Sequence, residues 1–72
     1  MKRVVARWEA KGGKRFIELF EENSVYGYTG DGCGGNIGFF GNDDAAIARM
    51  EHPSYGAVTC LKADFPSTKR IS

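Results

Sequence analysis

The sequence predicts a small α+β domain in which one short helix packs on one face of an antiparallel sheet, in the order β-β-β-loop-α-β. Two observations support this fold class. Near the N-terminus, two segments that alternate apolar and polar residues flank a Gly-Gly turn, which is typical of a β-hairpin. Farther along, residues 42–53 combine a helix-start signal, an apolar stripe at helical spacing and a proline that stops the helix.

Length and composition bound the organisation of the chain. Its 72 residues, 42% of them hydrophobic, predict a single domain (1–72) near the lower size limit for an independent core. Domains of this size often gain stability from a disulfide, a metal or a second subunit. Cys33, His52 and Cys60 are too few and too widely spaced for a structural zinc site. We therefore expect a homo-oligomer, most simply a dimer, with no metal and no cofactor.

The N-terminal segment does not predict export or a membrane span. MKRVVARWEAK is basic, but Arg7 and Glu9 interrupt its apolar run, whereas a secretory signal needs about 7–15 consecutive apolar residues. We expect a cytoplasmic protein without membrane contact, whose cysteines are reduced. In an oxidising compartment, Cys33–Cys60 would be the one internal disulfide that the composition allows.

The first two strands are predicted over residues 4–10 and 15–21. Lys11-Gly12-Gly13-Lys14 lies between them, and its paired glycines suit the positive φ angles of a tight hairpin turn. A two-residue Gly12-Gly13 loop gives the cross-strand pairs Val5–Phe20, Ala6–Leu19, Arg7–Glu18 and Trp8–Ile17. Because directly opposed residues share a face, the Ala6 and Trp8 pairs belong to the core, whereas Arg7 and its partner lie on the other face.

A third strand is predicted over residues 24–29, after a tight turn at Glu22-Asn23. A two-residue loop there sets Tyr26 opposite Leu19 and Tyr28 opposite Ile17, so both tyrosines face the core. The other face then holds a half-apolar set of side chains: Val5, Phe16, Phe20 and Val25. A solvated sheet face is normally more polar than this, so we expect later segments or another subunit to cover it.

Gly30–Gly35 is predicted to be an irregular loop, because four of its six residues are glycine. Its G-x-G-x-x-G spacing occurs in dinucleotide-binding turns, but those turns need a parallel βαβ unit that this short chain lacks. We interpret the segment as a structural loop. Asn36–Phe40 fits either a continuation of that loop or an irregular fourth strand.

The helix is predicted to begin after Asn42 as N-cap, with Asp43 and Asp44 in the first turn, where carboxylates favour the positive helix end. It continues to Glu51 before Pro53 stops it, and its inward stripe comprises Ala46, Ile47 and Met50. Residues 55–63 alternate again and predict a last strand, in which Cys60 is a small packing residue. About residues 66–72 are expected to be a frayed tail.

Groups suited to catalysis are sparse. Cys33 among glycines would need a general base to act as a nucleophile, and His52 is the only histidine. Asp31, Asp43 and Asp44 lack the spacing of a calcium-binding loop. We therefore expect no enzymatic activity, and we assign no catalytic, metal-binding or cofactor-binding residue.

Our leading hypothesis is a non-enzymatic interaction module that self-associates or docks on a protein partner through a sheet edge or the half-apolar face. Small size and the apolar character of a second sheet face support it. The candidate interface residues are Val5, Phe16, Phe20, Val25, Phe39 and Phe40.

The alternative is a nucleic-acid-binding module that uses the basic N-terminal hairpin. Residues 1–15 carry six basic groups and one acidic group, whereas residues 16–61 carry one basic group and seven acidic groups. The candidate phosphate contacts are Arg3, Arg7, Lys11, Lys14 and Arg15. The other interpretation of this asymmetry is that the basic and acidic groups neutralise one another in the folded chain.

Overall fold

The computed structural model describes residues 2–31 and 35–72. In this part of the chain, five strands form one antiparallel sheet, in which the first four pair in chain order and the last pairs with the first. Its strands are β1 (Arg3–Ala10), β2 (Arg15–Glu22), β3 (Val25–Gly30), β4 (Gly35–Phe39) and β5 (Lys69–Arg70). Two helices, α1 (Asp43–Met50) and α2 (Ala57–Asp64), pack against one face of the sheet. The fold class is thus α+β, although the element order differs from the prediction.

The β1–β2 hairpin follows the predicted register over most of its length. The confirmed pairs are Ala6–Leu19, Arg7–Glu18 and Trp8–Ile17. The turn holds four residues instead of two, but it preserves this register because Ala10 pairs with Arg15. Lys11, Gly12 and Gly13 have φ angles of 54°, 66° and 92°, in the left-handed region that glycine adopts most easily.

The predicted Val5–Phe20 pair is wrong, because a β-bulge interrupts the start of β1. The pairing shifts between Val4 and Ala6, so Val4 lies opposite Phe20 and Val5 is the extra residue. Val5 packs against the core, while Val4 is 53% exposed. The bulge therefore buries one valine and places the other beside Phe20 on the opposite face of the sheet.

The β2–β3 turn lies one residue later than predicted, at Asn23-Ser24, whose φ angles of 52° and 68° are typical of a type I′ turn. Tyr26 consequently pairs with Glu21, and Tyr28 pairs with Leu19. This shift moves the register by an even number of residues, so each side chain keeps its predicted face. Tyr26 is buried in the core and Tyr28 packs against it, as the sequence predicted.

The segment after the glycine-rich loop forms β4, an edge strand that pairs with β3. Its register shifts between Tyr26 and Gly27, which leaves Ile37 as an extra residue in a second β-bulge. Gly38 beside it has a φ of 118°, a conformation that glycine supplies without strain. Residues 32–34 of the predicted loop lie outside the described residues.

Helix α1 agrees with the prediction. The side-chain Oδ1 of Asn42 accepts a hydrogen bond from the Ala45 backbone N–H at 2.8 Å, which confirms the N-cap. Asp43 and Asp44 occupy the first turn, and the buried residues are Ala46, Ile47 and Met50. The helix ends at Met50, before Pro53.

The predicted last strand over residues 55–63 is wrong, because this segment forms α2. Ala57, Thr59 and Leu61 alternate as in a strand, but Val58 and Leu61, three residues apart, also recur at helical spacing and are the buried ones. The segment forms a helix because this conformation places Val58 and Leu61 together against the core. Cys60, predicted to pack inside, is exposed.

The predicted frayed tail contains β5. Lys69 pairs with Glu9 and Arg70 with Trp8, and the Ile71 N–H donates to the Arg7 carbonyl at 2.9 Å. Thr68 just before this strand is buried. Backbone hydrogen bonds to β1 thus order a segment whose side chains carry no apolar pattern.

Candidate functional site

The sheet has a second face that neither helix covers. Because side chains alternate along a strand, the neighbours of the core residues on β1 to β4 point to this side. We call it the open face, and its members include Val4, Arg7, Glu9, Phe16, Glu18, Phe20, Glu22, Val25 and Phe39.

Four apolar side chains cross the open face, one on each strand from β1 to β4. Val4 on β1 is paired with Phe20 on β2, and Val25 on β3 is paired with Phe39 on β4. Phe20 lies opposite Gly27, two residues from Val25, so Phe20 and Val25 are diagonal neighbours. We call this set the apolar stripe. Its four strands lie about 4.8 Å apart, so it spans roughly 14 Å.

The two ends of the apolar stripe are its most exposed parts. Phe39 is 76% exposed and Val4 is 53% exposed. Phe20 and Val25 between them are half-buried. The Lys2 Nζ lies 4.5 Å from the centroid of the Phe20 ring, so a cation borders the middle of the stripe. Such an apolar surface on a small domain is typical of an interaction site.

Three of the predicted interface residues, Phe20, Val25 and Phe39, lie in the apolar stripe. Phe16 is on the same face but carries the Arg7 guanidinium, whose Cζ is 4.1 Å from the ring centroid. Phe40 packs against the core. Its ring meets Tyr26 edge to face, with the centroids 5.9 Å apart.

Val5 and Val4 exchange roles relative to the prediction. Val5, a predicted interface residue, packs against the core, and Val4 takes its place on the open face. The prediction missed Val4 because strict alternation assigns it to the core side. Only the bulge places Val4 on the open face, and no residue type in this segment predicts a bulge.

An ion-pair cluster occupies the open face beside the apolar stripe. Arg7 Nε donates to Glu9 Oε2 at 2.7 Å, and Arg7 Nη1 donates to Glu18 Oε2 at 3.0 Å. The hydrogen bond to Glu9, with a smaller contribution from Glu18, raises the pKa of Arg7 above its ordinary value. This part of the face therefore carries charges that already have partners within the chain.

Three of the five predicted phosphate contacts are tied into internal ion pairs. Arg3 contacts Glu21 at 3.2 Å and Asp43 at 2.9 Å, and Arg15 contacts Asp31 at 3.1 Å. Arg7 belongs to the cluster described above. A phosphate would have to compete with these carboxylates. Nucleic-acid binding through the N-terminal hairpin stays a prediction, and the internal pairing does not favour it.

A hydrogen-bonded carboxylate fixes the end of the sheet that carries the stripe. Asp43 accepts bonds from Arg3 Nη1 at 2.9 Å and Nη2 at 3.1 Å, and from the Tyr26 hydroxyl at 2.6 Å. The Arg3 guanidinium, followed by the Tyr26 hydroxyl, lowers the pKa of Asp43 to about 2. Asp43 thus joins β1 and β3 to the start of α1, next to Val4.

The lowered pKa of Asp43 predicts a specific loss of stability in acid. Its folded-state pKa falls from 3.8 to about 2, so ionised Asp43 stabilises the fold above the unfolded value, and this contribution is lost as the pH falls through 2. We expect the urea midpoint of the wild type to fall more steeply between about pH 4 and pH 2 than that of Asp43→Asn. Asp44→Asn in the same helical turn is the control, because it removes a carboxylate that accepts from neither Arg3 nor Tyr26. Parallel curves for wild type and Asp43→Asn would contradict this role.

Two shallow clefts lie at the opposite end of the sheet. One, of about 330 Å³, is lined by Arg15, Asp31, Ala57, Cys60, Leu61, Asp64 and Phe65. The other, of about 320 Å³, lies beside the β1–β2 turn and is lined by residues that include Lys11 and Lys69. Asp31 in the first cleft accepts from the Phe16 N–H at 2.7 Å and from Arg15, and these bonds lower its pKa. Its carboxylate is thus already engaged.

His52 lies apart from both clefts. Its ring stacks on Tyr55 with centroids 3.7 Å apart, and its Nδ1 accepts a hydrogen bond from the Ser54 N–H at 3.1 Å. Cys33, the thiol that would need this imidazole as its general base to act as a nucleophile, lies outside the described residues. Cys60, the cysteine within the described residues, lines the first cleft, whereas His52 does not line it.

Comparison of the chain with protein-family models, with curated proteins and with solved structures gives no match. Within residues 2–31 and 35–72, no cluster of three or more His, Cys, Asp or Glu side chains has the arrangement of a metal site. In the same part of the chain, neither helix has the length and apolar character needed to cross a membrane.

Proposed function

We propose that this chain is a non-enzymatic interaction module that associates with a second copy of itself through the open face of its sheet. The apolar stripe carries this proposal. Phe39 at 76% exposure and Val4 at 53% leave apolar surface in water, and a second copy would remove that surface from solvent.

The edges of the sheet are less suited to association than its face. β4 has five residues and contains a bulge, and β5 has two residues, one of which is Lys69. Short strands, bulges and lysines all limit pairing with another strand. The sequence leaves open whether association uses a sheet edge or the half-apolar face. These properties of the edge strands favour the face.

The size of the open face sets the expected strength of association. Four strands about 4.8 Å apart and up to eight residues long give a face of roughly 500 Å². A standard stable interface buries about 800 Å² on each partner. We therefore expect a weak, concentration-dependent dimer, with a Kd in roughly the micromolar to millimolar range.

The charge of the chain is compatible with this partner. The net charge is +1, so two copies repel each other little. Arg7 on the open face pairs with both Glu9 and Glu18, so this ion-pair cluster has one positive and two negative groups beside the apolar stripe. We place the module in the cytoplasm, where the exposed Cys60 stays a thiol.

The molar mass in solution tests the proposal. Light scattering over a range of concentrations should show the mass rising from 7.9 kDa toward twice that value, without a decrease when salt is added. Phe39→Lys should remain monomeric, because it places a charge in the apolar stripe at a position where the fold loses little packing. All samples contain reductant, which keeps Cys60 from forming an intermolecular disulfide.

Tyr55→Lys is the matched control for Phe39→Lys. Tyr55 is also an exposed aromatic residue, 55% accessible, but it lies on the α1–α2 connection away from the open face. This variant should associate like the wild type. A wild type that stays monomeric at millimolar concentration, or a Phe39→Lys variant that associates normally, would refute the proposal.

A further inference from the structure

The residues of the apolar stripe alternate in size across the sheet. From β4 to β1 the order is Phe39, Val25, Phe20 and Val4. A large ring thus stands next to a small side chain on each neighbouring strand. Phe39, at the β4 end of this order, is 76% exposed.

This order makes the stripe complementary to its own reversed copy. A two-fold axis that passes through the stripe between Phe20 and Val25, perpendicular to its length, reverses the order of the four residues in the second copy. Each phenylalanine then lies over a valine. Protein interiors and interfaces pack large side chains against small ones because this arrangement leaves few voids.

We propose that two copies pair in this reversed arrangement, with Phe39 of one copy on Val4 of the other and Phe20 of one copy on Val25 of the other. The inference rests on the proposed function, since it specifies how the second copy sits on the open face. Each contact occurs twice, as a two-fold interface requires.

The other two-fold arrangement is less favourable. An axis along the stripe would set each residue on its own equivalent, phenylalanine on phenylalanine and valine on valine. The stacked rings would then hold the two sheets apart, and gaps would remain between the valines, where dispersion contacts are lost. Complementarity of size therefore selects the reversed arrangement.

A charge exchange between Val4 and Phe39 tests the arrangement. The two positions are three strands apart in one chain, about 14 Å, too far for an ion pair within the monomer. In the reversed dimer they are in contact between subunits. We expect Val4→Lys and Phe39→Glu each to weaken association by at least about tenfold, because each leaves an unpaired charge in the interface.

The double variant V4K/F39E should recover association, since each new lysine meets a new glutamate of the other subunit. Its affinity should return to within about threefold of the wild type at low salt and then fall as salt is added, which wild-type affinity does not. The opposite exchange, V4E/F39K, should behave in the same way despite the neighbouring Lys2 and Arg3. V4K/Y55E carries the same charges with the acidic group outside the open face, and it should stay as weak as Val4→Lys.

Three outcomes separate the two proposals. Recovery in both charge exchanges supports the reversed pairing. Single variants that dissociate, together with double variants that stay dissociated, overturn the reversed pairing but leave self-association through the open face intact. A monomeric wild type overturns both. Circular dichroism and Trp8 fluorescence of each variant show that the fold is retained in every comparison.

Discussion

Gly56→Ala is expected to destabilise this protein by about 3 kcal/mol or more, although it adds a single methyl group. Gly56 is the N-cap of α2, with an ordinary φ of −70°. A Cβ at this position would overlap the Met50 carbonyl oxygen and lie 2.6 Å from the His52 backbone nitrogen. The atoms in conflict belong to the backbone, so no side chain can rotate away. The end of α1 and the start of α2 would have to move apart, which disturbs the Met50 and Val58 packing in the core.

The control for this change is Gly41→Ala. A Cβ at Gly41 would meet no atom within 4 Å, and its backbone does not adopt a positive φ. The same substitution should therefore be neutral or stabilise the fold by up to about 1 kcal/mol, through the unfolded state. Urea unfolding followed by Trp8 fluorescence measures both effects. Equal stabilities for Gly56→Ala and Gly41→Ala would show that the α1–α2 junction is looser than the structure indicates.

Trp8→Ala is expected to cost about 3–5 kcal/mol, which approaches the whole stability of a domain of this length. Trp8 is 1% exposed and is one of the largest fully buried side chains. Its Nε1 donates to Glu51 Oε2 at 2.9 Å, so it also connects β1 to the end of α1. Its removal leaves a cavity between the sheet and the helices and ends this hydrogen bond.

Thermal and urea unfolding followed by far-ultraviolet circular dichroism test this prediction. Trp8→Phe retains most of the buried ring area but lacks the indole N–H, so its difference from Trp8→Ala separates packing from the hydrogen bond. Tyr55→Ala, an exposed aromatic truncation, is the control and should change the stability by less than about 1 kcal/mol. A loss below about 1 kcal/mol for Trp8→Ala would contradict the central place of Trp8 in the core.

The parts of the fold that the sequence predicts are those in which several local signals agree. In the first hairpin, alternation, the glycine pair and the Arg7–Glu18 match all specify one register, and the structure has it. In α1, the Asn42 cap, the apolar residues at helical spacing and Pro53 all specify one helix. Where the β2–β3 turn shifts by one residue, the tyrosines still face the core, because the register moves by an even step.

The errors lie where local signals are ambiguous or absent. Ala57–Asp64 is short, and its apolar residues fit both strand and helix spacing, so only packing against the core decides for α2. Lys69–Arg70 pairs with β1 through backbone groups that every such residue type carries, so the residue types do not predict this strand. These contacts join segments distant in sequence, and periodicity within one segment does not report them.

In the candidate site, too, the sequence predicts the side of the sheet for some residues and not for others. Phe20 and Val25 are predictable members of the open face, because alternation fixes their side of the sheet. The side of Phe39, by contrast, depends on the bulge at Ile37 in β4. Val4 enters this face, and Val5 leaves it, only because the bulge in β1 reverses their positions. The size alternation along the apolar stripe is therefore visible only when four strands are placed side by side.

The most direct test of the central claim is a concentration series of amide spectra by nuclear magnetic resonance. If the open face associates with a second copy, the shifts should change with concentration at the apolar stripe and its flanking residues on β1 to β4, and stay constant in α1 and α2. Spectra that do not change up to about 1 mM would contradict self-association at any strength expected for a face of this size. Changes confined to the helices would place the interface on the helical side of the protein, which would also contradict association through the open face.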